Sequence, residues 1–225
     1  MSIFFAFTGI VHLLISVWLP LLKFRGTPSE NDREAIELFY KKIKALGIIE
    51  PKRYFFDSLV FYRRISRFDL NHFDMGYGLL AGASSLFSFS GLSFRVSRKI
   101  LALVTRKIAR QHSRSYIIYD FAETLHHYLA GNWHTIKPYD EDLVKENLDI
   151  GEVYFASLHL HWHGLHQLHQ GNLETAGWLI EQLHDLADIY ENDFTQLLKL
   201  LLKQRLSRRS PVFSSNLRSC VKSFS

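Results

Sequence analysis

The chain has 225 residues, 47% of them apolar and 14% aromatic, enough for one large domain or a short repeat array with a bulky core. Its single cysteine, Cys220, excludes a disulfide framework and any Cys-x-x-Cys redox or zinc site. The net charge of +5 conceals an asymmetry: residues 1–119 carry 18 Lys/Arg against 8 Asp/Glu, residues 120–206 carry 5 against 14, and the last nineteen add four basic side chains and no acidic one. That polarity fits halves that dock on each other, a basic face for an acidic partner, or solvated helix faces of opposite bias.

The first segment, 1–24, reads as an apolar helix. No Asp, Glu, Lys or Arg occurs before Lys23. As a helix, 22 residues span about 33 Å, against a bilayer core of about 30 Å. Lys23 and Arg25 follow at once, which places the remainder on the cytoplasmic side if residues 2–22 span a membrane. There is no charged leader and no small-residue cleavage site of the secretory kind. The other reading is a helix buried in the body, favoured by Pro20. The expected location is cytoplasmic, or anchored at the cytoplasmic face of a membrane.

Residues 25–206 read as a helical-repeat domain. Thr27, Pro28 and Glu30 form a helix-start signal, Ile36, Phe39, Ile43 and Leu46 recur at helical spacing, and Gly47 is the expected stop. Pro51 opens a helix rich in aromatics, broken at 67–74. Residues 76–90 are small, apolar and uncharged, which predicts an internal helix packed closely on its neighbours. A basic helix is expected over 93–110, with Arg95, Arg98, Lys99, Arg106, Lys107 and Arg110 on one half of its wheel. A helix over 115–130 and a short acidic one over 140–147 follow. Two more run over 151–170 and 173–190, separated by Gly171-Asn172 with Asn172 as cap. Asn192 is expected in the left-handed conformation and Asp193 as the cap of a last helix to Leu206. The tail 207–225, with seven serines and no helical stripe, is expected to be disordered.

Pro51, Gly91, Gly131 and Gly171 lie forty residues apart, each at a predicted helix boundary, and Phe56, Val96, Ile136 and Ala176 stand five residues beyond them. A fixed period of this size marks stacked helical repeats. In the last unit Gly164, Gly171, Leu173 and Ala176 form G-x6-G-x-L-x2-A. Here Gly164 is expected to let the two helices approach, Gly171 to make the turn, Leu173 to plug it and Ala176 to fit the crossing. This resembles the tetratricopeptide repeat. It departs at Leu183, where a small residue is expected, and in its period of forty. The run from Pro138 to Asp193 is also similar to helical-repeat regions of large multidomain signalling ATPases, kinases and cyclases, a resemblance that extends loosely over residues 33–206 and includes no catalytic motif. The resemblance implies an all-α, right-handed solenoid of antiparallel helix pairs that binds protein partners and regulates.

Chemistry is sparsely marked. His159, His163 and His166 share a helical stripe at i, i+4 and i+7, a spacing for zinc that lacks a fourth ligand. The expected alternative is a polar stripe beside the buried face, with His161 hydrogen-bonded in the core. Glu123-x-x-His126 and Glu181-x-x-His184 have the pattern of helical di-iron proteins, with Glu152 as a third carboxylate and no fourth. There is no nucleophile elbow and no phosphate loop. No cofactor is expected and no enzyme activity. Nucleic acid is not an expected partner, because the basic residues carry no reading motif. The functional expectation is a non-catalytic interaction and regulatory module whose basic stripe docks an acidic surface.

Overall fold

The computed structural model describes Thr8, Val11, Ile15 and residues 26–65, 67–109 and 112–209. The rest of the apolar segment 2–22, Arg110 and the tail 210–225 with Cys220 lie outside the described residues. Among the described residues the protein is all-helical: nine α-helices, two short 3-10 turns and one isolated bridge between Gly26 and Phe68. The helices are α1 Glu30–Ile49, α2 Pro51–Ile65, α3 Gly76–Phe89, α4 Phe94–Thr105, α5 Ser113–Leu129, α6 Glu141–Asp149, α7 Val153–Gln170, α8 Leu173–Ile189 and α9 Asp193–Arg209. None of them is long and apolar enough to cross a membrane. The chain divides into two compact units, one through Gly131 and one from Asn132 onward.

In the first unit, α1 starts at a capping box in which Ser29 accepts from the Asp32 amide and Asp32 accepts from the Ser29 amide. The start signal expected at Thr27 and Glu30 is therefore displaced by two residues. Gly47 does not stop α1, which continues to Ile49 because Pro51, lacking an amide proton, begins a new helix one residue later. The break at 67–74 is real: Asp69 caps the Asn71 amide at 3.1 Å and starts a 3-10 turn over Leu70–His72.

Helix α3 is the centre of this unit. It has no charged residue, and Ala81, Ala83 and Ser84 are fully buried. It packs most extensively along α5 and then along α4. Gly78 shows why its residues are small: a Cβ there would stand 2.7 Å from the Ser115 Cα, backbone against backbone with no side chain to yield. The internal, close-packed helix expected from 76–90 is what forms. Helix α4 is shorter than expected. It ends at Thr105, with Arg106 in the C-cap position and Lys107 in the following turn.

The second unit begins with a 3-10 turn over Trp133–Thr135, so the Gly131 turn does not join two helices directly. Ile136 is buried but follows that turn in extended backbone and does not sit on a helix. Asp140 caps α6 by accepting from the Leu143 amide at 2.9 Å. Helices α7, α8 and α9 each pack against the other two. Because Gly171 and Asn172 are all that separates α7 from α8, their long contact requires the chain to reverse.

The glycine signals hold as turns: Gly91, Gly131 and Gly171 have φ of +68°, +76° and +83°, a region that costs other residues about 1–2 kcal/mol. Their partners five residues on are not equivalent. Ala176 is fully buried, Phe56 is 39% exposed, and Val96 is half-buried. Gly164 also has a different neighbour from the one expected. A Cβ on it would collide with the side chain of Leu202, so it admits α9 against α7. Leu173 is only half-buried, whereas Leu183 is fully buried where the repeat pattern expects a small residue. Asn172 turns its amide back to Gln167 at 2.8 Å and does not cap α8. At the next turn the frame is one residue earlier than expected: Glu191 takes the left-handed conformation with φ +45°, and Asn192 caps α9 by accepting from the Thr195 amide. Residues 207–209 extend α9 past its expected end at Leu206.

Candidate functional site

The histidines of α7 lie deep in the second unit. His159 and His163 are completely buried and His166 nearly so, which corrects their placement on a flanking polar stripe. The cause is in the sequence: from Val153 to Leu173 there is no charged residue, and a helix uncharged all round is buried all round. The His159 and His163 rings are 4.3 Å apart, and Tyr139 packs on both at 5.5 and 5.8 Å. Trp178 meets Tyr139 edge-on at 5.5 Å. His166 lies one turn further along, and burial lowers its pKa. The stripe is thus an imidazole pair under an aromatic cover with a third ring beyond it. His161 occupies the core as expected, its Nδ1 3.1 Å from the Leu198 carbonyl of α9, and burial pushes it down to about 4. Ser157 and Thr195, 2.8 Å apart, form a second buried link between α7 and α9.

The first unit holds its own buried polar group. Ser88 of α3, Ser97 of α4 and His126 of α5 meet, with the serine hydroxyls 2.7 Å apart and Ser97 Oγ 2.9 Å from His126 Nδ1. All three are at most 3% exposed. Burial, assisted by the charges of His127 and Arg98, brings His126 down to about 4. A serine beside a neutral histidine has the components of a nucleophile pair. Here they are sealed between three helices and act as a polar staple. Glu123, the partner of His126 in the E-x-x-H pattern, accepts instead from the Tyr119 hydroxyl at 2.6 Å. In the second unit Glu181 is exposed, His184 pairs with Asp188 at 3.2 Å on the surface, and Glu152 is buried at the start of α7. The three do not form a ligand cluster.

Two surface elements stand out. The first is the turn between α3 and α4. Phe89 is 72% exposed and Leu92 62%, one on each side of Gly91. Arg95 and Arg98 follow on the outer face of α4, opposite the buried Ser97, Ile100, Leu101 and Val104. Of the six basic residues expected to form one stripe, these two and Lys99 share the helix. Arg106 and Lys107 are exposed beyond its end, and Arg110 is outside the described residues. The stripe is broken because α4 unwinds after Thr105.

The second is the outer face of α9. Leu198, Leu202 and Leu206 point into the unit, whereas Leu197, Leu200 and Leu201 are 47%, 58% and 44% exposed on the opposite side. Arg205 and Arg208 are exposed beside them, as is Lys203, and Asp193 is the helix's only acid. Sequence reasoning named Arg95 and Arg98 but missed the apolar turn before them, and it missed the leucine face of α9. The signal for α9 was present, since six leucines in ten residues exceed what one buried stripe accommodates.

No protein-family model matches the chain, and neither does any curated protein or solved structure. The resemblance to tetratricopeptide repeats rests on the residues of 151–191 alone.

Proposed function

We propose that the protein is a non-catalytic helical docking module, a short right-handed array of stacked helix pairs whose end helix, α9, receives an acidic amphipathic helix from a signalling partner. The observation that carries this reading is the leucine face of α9, with Leu197, Leu200 and Leu201 all about half exposed on one side of a helix whose other side is packed. Mutual packing of α7, α8 and α9 supports this reading, in which α9 is a first helix whose outer face awaits a pair-mate. Helix-in-groove recognition reads such i, i+3 and i+4 apolar anchors.

Charge selects the occupant. After Asp193 the helix carries Lys199, Lys203, Arg205 and Arg208 and no acid. A second copy of α9 would bring like charges together, and the tail 210–225 is itself basic, with Arg218 and Lys222 and no acid. An apolar helix edged with Asp and Glu satisfies both the leucines and the cations.

The test uses two synthetic helices with the same leucine stripe, one edged with Glu and one with Lys, titrated against the intact chain by fluorescence anisotropy. The Glu-edged helix should bind and the Lys-edged helix should bind at least tenfold more weakly. Replacing Leu197, Leu200 and Leu201 by serine should remove binding without lowering Tm, since all three are exposed. Equal binding of the two helices, or binding unaffected by the triple replacement, would contradict the reading.

A further inference from the structure

The turn between α3 and α4 has a construction that protein docking at α9 does not use. We infer that this turn is an interfacial membrane-binding tip, inserting Phe89 and Leu92 among lipid tails while Arg95 and Arg98 contact anionic headgroups.

Phe89 and Leu92 are among the most exposed large apolar residues of the protein, and they sit three residues apart on one tight turn. Gly91, with φ +68°, allows that turn to be tight. Leu92 also packs against the buried Leu59, Leu86 and Phe87 together with Phe55, which ties the turn to the core, and Phe56 is 39% exposed and edge-on to Phe55 at 5.7 Å. The exposed apolar surface is therefore that of Phe89 and Leu92, held on a firm base.

Charge supplies the second, independent observation. From Met75 to Tyr119 the chain contains no Asp or Glu but seven Lys/Arg, so α3, α4 and the first turns of α5 carry no acidic side chain. Arg95 and Arg98 lie in the first turns of α4, on its solvent face, three and six residues after Leu92. An apolar apex with a cationic collar immediately behind it matches the layering of a bilayer surface, where tails lie beneath phosphates. The apolar anchors here are two side chains at a turn and form no i, i+3, i+4 helical face like that of α9, so a fluid apolar layer fits them better than a partner helix. The lipid surface is therefore the occupant that the two observations together select.

The experiment is co-sedimentation of the intact chain with vesicles of phosphatidylcholine alone, or mixed with phosphatidylserine. The wild type should bind the mixed vesicles and lose binding as salt rises, because the Debye length shortens. The R95Q/R98Q variant should bind about thirtyfold more weakly, from the loss of two headgroup-contacting cations. The F89S/L92S variant should bind at least tenfold more weakly. Because the chain has four native tryptophans, the probe is the F89W emission in excess of the wild type's, which should shift to the blue only with the mixed vesicles and so reports insertion of the tip itself even if a serine variant misfolds. Binding equal on both vesicle types would overturn the inference. So would unchanged binding of F89S/L92S, the result expected if residues 2–22 alone hold the membrane. A silent F89W probe on vesicles that bind the chain would overturn it as well.

Discussion

His126 and His161 are the residues whose placement has the most direct consequence for stability. Both are buried and both are held near pKa 4, against 6.5 for an open imidazole, chiefly because burial penalises the charged ring. The folded chain keeps them neutral down to about pH 4, whereas the unfolded chain protonates them from about pH 6.5. Their stability contribution is therefore complete above pH 6.5 and is lost as the pH falls through that window, becoming constant below the folded pKa. Thermal melts from pH 7 to pH 4 should show a falling Tm. Replacing His126 and His161 by glutamine, neutral at every pH, should flatten that fall. A pH profile unchanged by both replacements would mean that other groups govern it. Sequence alone suggested a core role for His161, from its place among Tyr154, Phe155, Leu158 and Trp162. It gave no hint for His126, because the partners Ser88 and Ser97 lie on two other helices and no local pattern announces such a meeting.

At the scale of elements, the contact between Gly164 and Leu202 tests how α7 and α9 approach. Leu202 is fully buried and occupies the space that a side chain on residue 164 would need. Gly164→Val should overpack the contact and cost about 1–3 kcal/mol. Leu202→Ala should leave a cavity and cost about 2–5 kcal/mol. In the double variant the added methyls enter the vacated space, so the combined loss should be smaller than the sum by at least 0.5 kcal/mol, the size expected of residues in contact. Strictly additive losses from urea melts would place the two residues out of contact. The glycine turns were legible because a positive φ leaves few other choices, and Gly91, Gly131 and Gly171 all mark real chain reversals or helix ends. Which helix Gly164 serves was not legible. A small residue reports that something comes close, and the pattern does not say what.

At the scale of the whole molecule, the all-helical class followed from long periodic segments with few breakers. The division at Gly131 did not, since the turn there resembles those at Gly91 and Gly171 in sequence. The equivalence of the forty-residue units fails for a related reason. Period and turn chemistry are local, whereas the burial of Ala176 and the exposure of Phe56 depend on which helix lies opposite. The charge asymmetry was visible in the sequence, yet its use is resolved only by the elements that carry it. The basic first unit places Arg95 and Arg98 beside an exposed apolar turn. The second unit, acidic through α6 and α8, ends in a basic leucine-faced helix. Surfaces of these two kinds fit a protein that brings partners together. The most direct test is hydrogen–deuterium exchange of the intact chain with and without the Glu-edged leucine helix. The account predicts slowed exchange confined to 193–209, where the partner covers the outer face of α9. Slowed exchange at 94–105 with none at 193–209, or no change anywhere under saturating helix, would contradict it.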